Sequence, residues 1–166
     1  MPIIRLPSDH DTSYPAARGP VLLLSCMDLR LMDEIVQFMD HDGLTNRYDH
    51  VILAGAALGA IGPTRRYAHW WQTFKDHMEI AYKLRKFKDV YILEHRDCGA
   101  YREFLPNQEG VFGENEAEAD REKWLHLKYA EQLRKKIETW ARRKEPEIRV
   151  KSFLMDLRGR VEIIDR

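Results

Sequence analysis

The chain has 166 residues, 44% hydrophobic and 33% charged, which suits one folded domain with a sizeable core and argues against a wholly disordered chain. Lysine plus arginine number 27 and aspartate plus glutamate 27, so the net charge is zero; a general nucleic-acid coat or membrane-surface binder would be basic. No apolar run approaches bilayer length, and Met1-Pro2-Ile3-Ile4-Arg5-Leu6-Pro7 lacks the apolar stretch of a secretory signal, so a cytoplasmic location is expected.

Residues 1–19, rich in Pro, Asp and Ser, read as a surface arm, and residues 20–166 as a single α/β domain. Val21-Leu22-Leu23-Leu24-Ser25 is a continuous apolar run that suits a strand buried on both faces, although periodicity alone also allows a helix. Leu31, Met32, Ile35, Val36 and Met39 then share one helical face, and Asp42-Gly43 ends that helix. Tyr48 to Leu53 reads as a second strand, followed by a small-residue stretch, Ala54 to Gly62, that permits close backbone approach. Pro63-Thr64 opens a predicted long helix whose apolar stripe is Tyr67, Trp70, Trp71, Phe74, Met78, Ala81 and Leu84.

Val90 to Leu93 is the third predicted strand, and residues 106–114 form a polar loop. Asn115 to Lys144 reads as a helix, acidic in its first turns and basic in its last, with Trp124, Leu127, Ala130, Leu133, Ile137 and Trp140 on its buried side. Pro146 stops it. A fourth strand over Ile148 to Met155, a turn at Asp156-Leu157-Arg158-Gly159 and a short returning strand over Val161 to Ile164 complete the chain. Strands alternating with helices predict a mainly parallel central sheet flanked by helices, with a C-terminal antiparallel edge strand.

The chemistry concentrates at strand ends, where open parallel sheets bind ligands. Cys26 directly follows the first apolar run, His95 follows the third, and Cys98 lies three residues further on. If those two strands are neighbours, two sulfurs and an imidazole converge. Three protein ligands with one vacancy are the pattern of a catalytic zinc site, and zinc accepts both donor types, though iron or cobalt fit the same set. The direct rival is a Cys26–Cys98 disulfide, which leaves His95, Asp28 and Arg30 unexplained. Asp28 and Arg30, two apart beside Cys26, are either a surface ion pair or an aspartate kept ionised to accept a hydrogen bond from water at the metal. The same carboxylate could instead fill the vacant position and close the site.

Cys26-Met27-Asp28-Leu29-Arg30 and His95-Arg96-Asp97-Cys98-Gly99, in this order at strand ends, resemble the paired motifs of the β-class carbonic anhydrases. Phe153-Leu154-Met155-Asp156 through Arg160-Val161-Glu162 is similar to that family's closing hairpin, so the resemblance runs from about residue 20 to the C-terminus. It implies zinc held by Cys26, His95 and Cys98, a catalytic dyad of Asp28 and Arg30, and a homodimer or higher homo-oligomer with sites near the subunit interface. The implied reaction is hydration of carbon dioxide to bicarbonate by zinc-activated water, with no nucleic acid or membrane partner. Relatives with this motif can also hydrolyse carbonyl sulfide or carbon disulfide, and a zinc-binding regulatory protein with a closed site is the non-catalytic alternative.

Two departures stand out. Where the family carries an Arg-Asn-Ala-Gly-like stretch, this chain has Leu53-Ala54-Gly55-Ala56-Ala57-Leu58-Gly59. The short arm also offers no counterpart of a substrate-contacting Gln. Of the other histidines, His10 and His41 lie in Asp-His-Asp triplets, and His50 and His77 follow aspartates; with His69 they read as exposed loop or helix residues rather than proton relays. Arg65-Arg66 reads as a surface pair at a helix start.

Overall fold

The computed structural model describes residues 19–142, 144 and 147–165. The arm therefore lies outside the described residues except for Gly19, as do His10 and the helix-stopping Pro146. Five strands form one sheet: β1 (Val21–Ser25), β2 (Tyr48–Ile52), β3 (Asp89–His95), β4 (Arg149–Met155) and β5 (Val161–Ile163). The helices are α1 (Met32–His41), α2 (Ala56–Ala60), α3 (Trp70–Arg85), α4 (Gly99–Phe104) and α5 (Glu116–Ala141). Strand order is β2-β1-β3-β4-β5, parallel except for β5, which returns antiparallel beside β4.

Strand alternation divides the central side chains between two buried layers. Leu22, Leu24, Val90 and Ile92 face one layer with Phe74 and Met78 of α3 and Leu133 and Ile137 of α5. Val21, Leu23, Tyr91 and Leu93 face the other with Ile35 and Met39 of α1. Both faces are covered, which is why β1 reads as unbroken hydrophobic sequence; each fully buried leucine there contributes roughly 1.5–3 kcal/mol.

The elements differ from the sequence expectation in several places. Two short helices, α2 and α4, lie where no helical period was legible. The third helix starts at Trp70, because residues 65–67 form a separate 3-10 turn, and Arg65 and Arg66 lie exposed in that turn. Trp124 and Leu84 face solvent at 52% and 64% exposure, so neither belongs to its helix's core stripe. On α5 the buried face instead includes Glu122 and His126, polar groups with partners of their own. Met32 and Val36 are only part-covered, at 37% and 47% exposure, leaving Ile35 and Met39 to anchor α1.

Candidate metal centre

Adjacent parallel strands bring the three ligand candidates together. Cys26 follows the last residue of β1, and β1 pairs with β3 in a register that matches Ser25 to Leu93. His95 is the last residue of β3 rather than the first residue after it. Cys98 sits at the N-cap of α4, reached through Asp97 in a left-handed conformation (φ 54°) that turns the chain back on itself. The donor atoms of Cys26, His95 and Cys98 all lie within 4.8 Å of one another, and all three residues are buried. Among the described residues this is the one such group able to hold a metal ion.

The cysteines are free, with sulfurs 3.8 Å apart, far beyond a disulfide bond of about 2.05 Å. They titrate as a pair. Hydrogen bonding from the Cys98 thiol lowers Cys26 to about 4 against its burial, helped by His95 and the Gly55 N–H, which reaches the Cys26 Sγ at 3.3 Å. The Cys26 sulfur, followed by burial, pushes Cys98 up. Burial alone would push His95 down, but the neighbouring Cys26, the Arg96 carbonyl and Asp28 outweigh it and its pKa rises.

The donor set fits a divalent zinc ion by an independent observation. His95 Nδ1 lies 2.9 Å from the Arg96 carbonyl oxygen, which fixes the ring and aims Nε2 at the sulfurs. That Nε2 is buried and has no hydrogen-bond partner among the described residues. A buried polar atom without a partner is costly, and a cation between it and two thiols would satisfy it.

Asp28 stands at the rim, its Oδ2 3.9 Å from His95 Nε2. Arg30 grips both carboxylate oxygens: backbone N–H and Nε donate to Oδ1 at 3.0 and 2.9 Å, and a terminal nitrogen donates to Oδ2 at 2.7 Å. The guanidinium holds the Asp28 carboxyl down at about 2, from its usual 3.8. Arg30 is itself fixed by Asp97, donating to its side chain at 2.9 Å and to its carbonyl at 3.0 Å. Glu122 of α5 in turn accepts the Asp97 N–H at 2.6 Å and an Arg96 donor at 3.1 Å. A cleft of about 370 Å³ opens above, lined by Cys26, Met27, Asp28, Ala54, Ala100 and Phe104 among others. A larger groove of about 640 Å³, between α1 and the β4–β5 hairpin, lies away from this chemistry.

All five residues singled out in sequence therefore meet at one sheet edge. Sequence reasoning missed Asp97 and Glu122 as the groups that seat Arg30, and Glu94 with His126 beneath the site. A glutamate ending an apolar run inside a two-sided strand was the available signal for Glu94. In the small-residue stretch, Ala54 lines the cleft and Gly55, at φ 76°, turns its N–H toward Cys26. His41, His69 and His77 are exposed as expected, whereas His50 is half-buried with Nε2 2.7 Å from the Ser25 hydroxyl oxygen.

No family model matches the chain. Among solved structures, a β-carbonic anhydrase of Aspergillus fumigatus superposes with a TM-score of 0.57 at 16% identity, over 90% of this chain and 76% of that one. A second β-carbonic anhydrase of the same fungus gives 0.55 at 13% identity, over 98% and 95% of the two chains. One of two tetrameric β-carbonic anhydrases of Sordaria macrospora gives 0.53 at 15% identity, over 91% and 83%. At such identities these likenesses establish a carbonic-anhydrase-like fold. In sequence, an uncharacterised protein of Rickettsia conorii is 36% identical over 143 residues, spanning 86% of this chain and 70% of its own length. An uncharacterised protein of Rickettsia bellii is also 36% identical over 143 residues, spanning 86% of this chain and 80% of its own. The chain belongs to the same family as these two rickettsial proteins.

Proposed function

We propose that the protein is a zinc-dependent lyase of the β-carbonic anhydrase type, converting carbon dioxide and water to bicarbonate and a proton. The observation that carries this reading is the meeting of Cys26, His95 and Cys98 beside an aspartate clamped by arginine. Zinc held by these three residues would supply Lewis acidity, bringing the pKa of water from 15.7 toward ~7.

The chain's own groups account for the rest. Cys26, His95 and Cys98 would hold the ion as three protein ligands, with the Asp28 carboxylate beside them. Arg30 keeps Asp28 an anion with its Oδ2 near the ligand set, where it accepts a hydrogen bond from attacking water and orients it. Because both Asp28 oxygens are bound by Arg30, turning the carboxylate onto the metal would break three hydrogen bonds. That supports the open over the closed form of the site. The lining of the cleft includes Met27, Ala54, Ala100 and Phe104, apolar groups suited to a small linear gas. A homo-oligomer belongs to this reading: Met27 and Leu29 stand 65% and 87% exposed beside the site, an apolar rim that a second subunit would cover.

Stopped-flow hydration of carbon dioxide by the zinc-loaded protein tests the proposal. It should accelerate the reaction over buffer, and Asp28→Ala should lower the rate by ~10²-fold or more with zinc still bound. A zinc-loaded protein no faster than buffer from about pH 6 to 9, the span in which such a water titrates, would overturn it.

A further inference from the structure

We propose that Glu94 is a positioning residue for the metal centre, its one carboxyl group fixing the two segments that bring Cys98 and the Gly55 N–H to the Cys26 sulfur. The inference rests on the metal-site reading above.

Glu94 precedes His95 in β3 and is 1% exposed. Strand alternation sends the two side chains to opposite faces, so Glu94 lies under the site. Its Oε1 accepts the Ala57 N–H at 2.8 Å, at the start of α2. Two residues earlier, Gly55 donates to Cys26 Sγ. Its Oε2 accepts the Tyr101 hydroxyl at 2.9 Å, and Tyr101 is on α4, where its own N–H bonds the Cys98 carbonyl at 3.1 Å. His126 Nδ1, from α5, lies 2.8 Å from the same Oε2. Tyr101 and His126 are both fully buried, their rings 4.1 Å apart.

One acidic side chain thus meets donors from α2, α4 and α5 while its own strand carries the next ligand. A leucine would fill this space without the desolvation cost of a carboxyl group. What Glu94 adds is direction, because each donor must sit at a set distance and angle, and two belong to segments touching the thiols. Groups that orient metal ligands from behind typically govern affinity by 10–100-fold.

Two variants separate this role from packing. Glu94→Gln keeps the volume but replaces an acceptor oxygen with a donor, and Tyr101→Phe removes a single hydroxyl. Each is first examined metal-free by amide hydrogen exchange. It is then titrated with Co²⁺, following the sulfur-to-cobalt absorption band. Glu94→Gln should speed exchange ~10-fold or more at residues 55–57 and 98–101 while the middle of α3 stays protected. It should bind Co²⁺ about 10–100-fold more weakly, with an altered band. Tyr101→Phe should move both in the same direction by less, and decides the matter if the Gln variant does not fold. Unchanged exchange in those segments overturns the proposal, as does faster exchange with unchanged Co²⁺ affinity and band. A wild-type protein that binds no Co²⁺ defeats the metal-site reading instead, and the exchange data still decide whether Glu94 holds the two segments.

Discussion

Asp28 and Arg30 are held more firmly than a lone surface ion pair. Exposed pairs contribute little stability, and Arg30 is 41% exposed on its side chain. This arginine is nonetheless held from the far side by Asp97, so its fork is preorganised for Asp28. The direction of the Asp28 shift sets its pH dependence. A carboxyl group lowered from 3.8 to about 2 stabilises the fold fully above the higher value and loses that contribution as pH falls through the lower one. Arg30→Gln should return the Asp28 titration toward 3.8, followed by carbon-13 NMR of the carboxyl in zinc-free protein. An Asp28 that still titrates near 2 would show that Arg30 is not the cause. Cys26, His95 and Cys98 were legible in sequence because thiols and imidazoles beside apolar runs are uncommon, while Asp28 and Arg30 were singled out by their spacing beside Cys26, with a plain surface ion pair as the alternative. Asp97, Glu122 and Glu94 were not, since acidic residues abound in this chain and only the fold shows which ones reach the site: Glu94 and Glu122 are buried, whereas Asp97 is exposed and accepts from Arg30.

At the scale of elements, β1 and β3 were legible within two residues because burial on both faces leaves apolar runs, whereas β2, β4 and β5, less buried and mixed in sequence, were read from looser patterns. The short helices were hidden because neither shows a readable period: α4 spans only six residues, with Tyr101 alone buried. Ala56-Ala57-Leu58-Gly59-Ala60 has no polar face, since all of it is buried, so no helical period exists to be read. The exposed Trp124 has a similar lesson: an aromatic residue in a helix is not evidence of burial, and this one lies 5.4 Å from the Lys128 ammonium in solvent. The close packing of α2 carries a prediction. A methyl group on Gly59 would stand 2.1 Å from the Ala54 carbonyl oxygen, a backbone atom that cannot swing aside. Gly59→Ala should therefore cost at least about 1–3 kcal/mol, read from the urea midpoint, despite alanine's higher helix propensity. A variant as stable as the parent would mean that the loop carrying Gly55 is not held where the structure puts it.

At the scale of the molecule, a five-stranded sheet delivers residues from β1, β3 and α4 to one edge, and no helix among the described residues is long and apolar enough to cross a membrane. The topology was the part of the fold best read in advance, down to the antiparallel last strand. The adjacency of β1 and β3 was a condition rather than a deduction, because β2 intervenes in sequence and only the crossover puts β3 beside β1. A ligand that binds only the folded arrangement stabilises it by mass action, by about 2.7 kcal/mol at a hundredfold excess over Kd. Saturating zinc should accordingly raise the Tm of the wild-type protein and leave that of Cys98→Ser nearly unchanged; equal shifts in both would place the binding elsewhere.

Everything in the functional account follows from one cation bridging three side chains. Anomalous scattering at the zinc edge, from crystals of the zinc-loaded protein, tests this most directly. A single strong peak bonded to both sulfurs and to His95 Nε2 is expected, with Asp28 still turned toward Arg30. A peak on other residues, or a Cys26–Cys98 disulfide with no metal beside it, would contradict it.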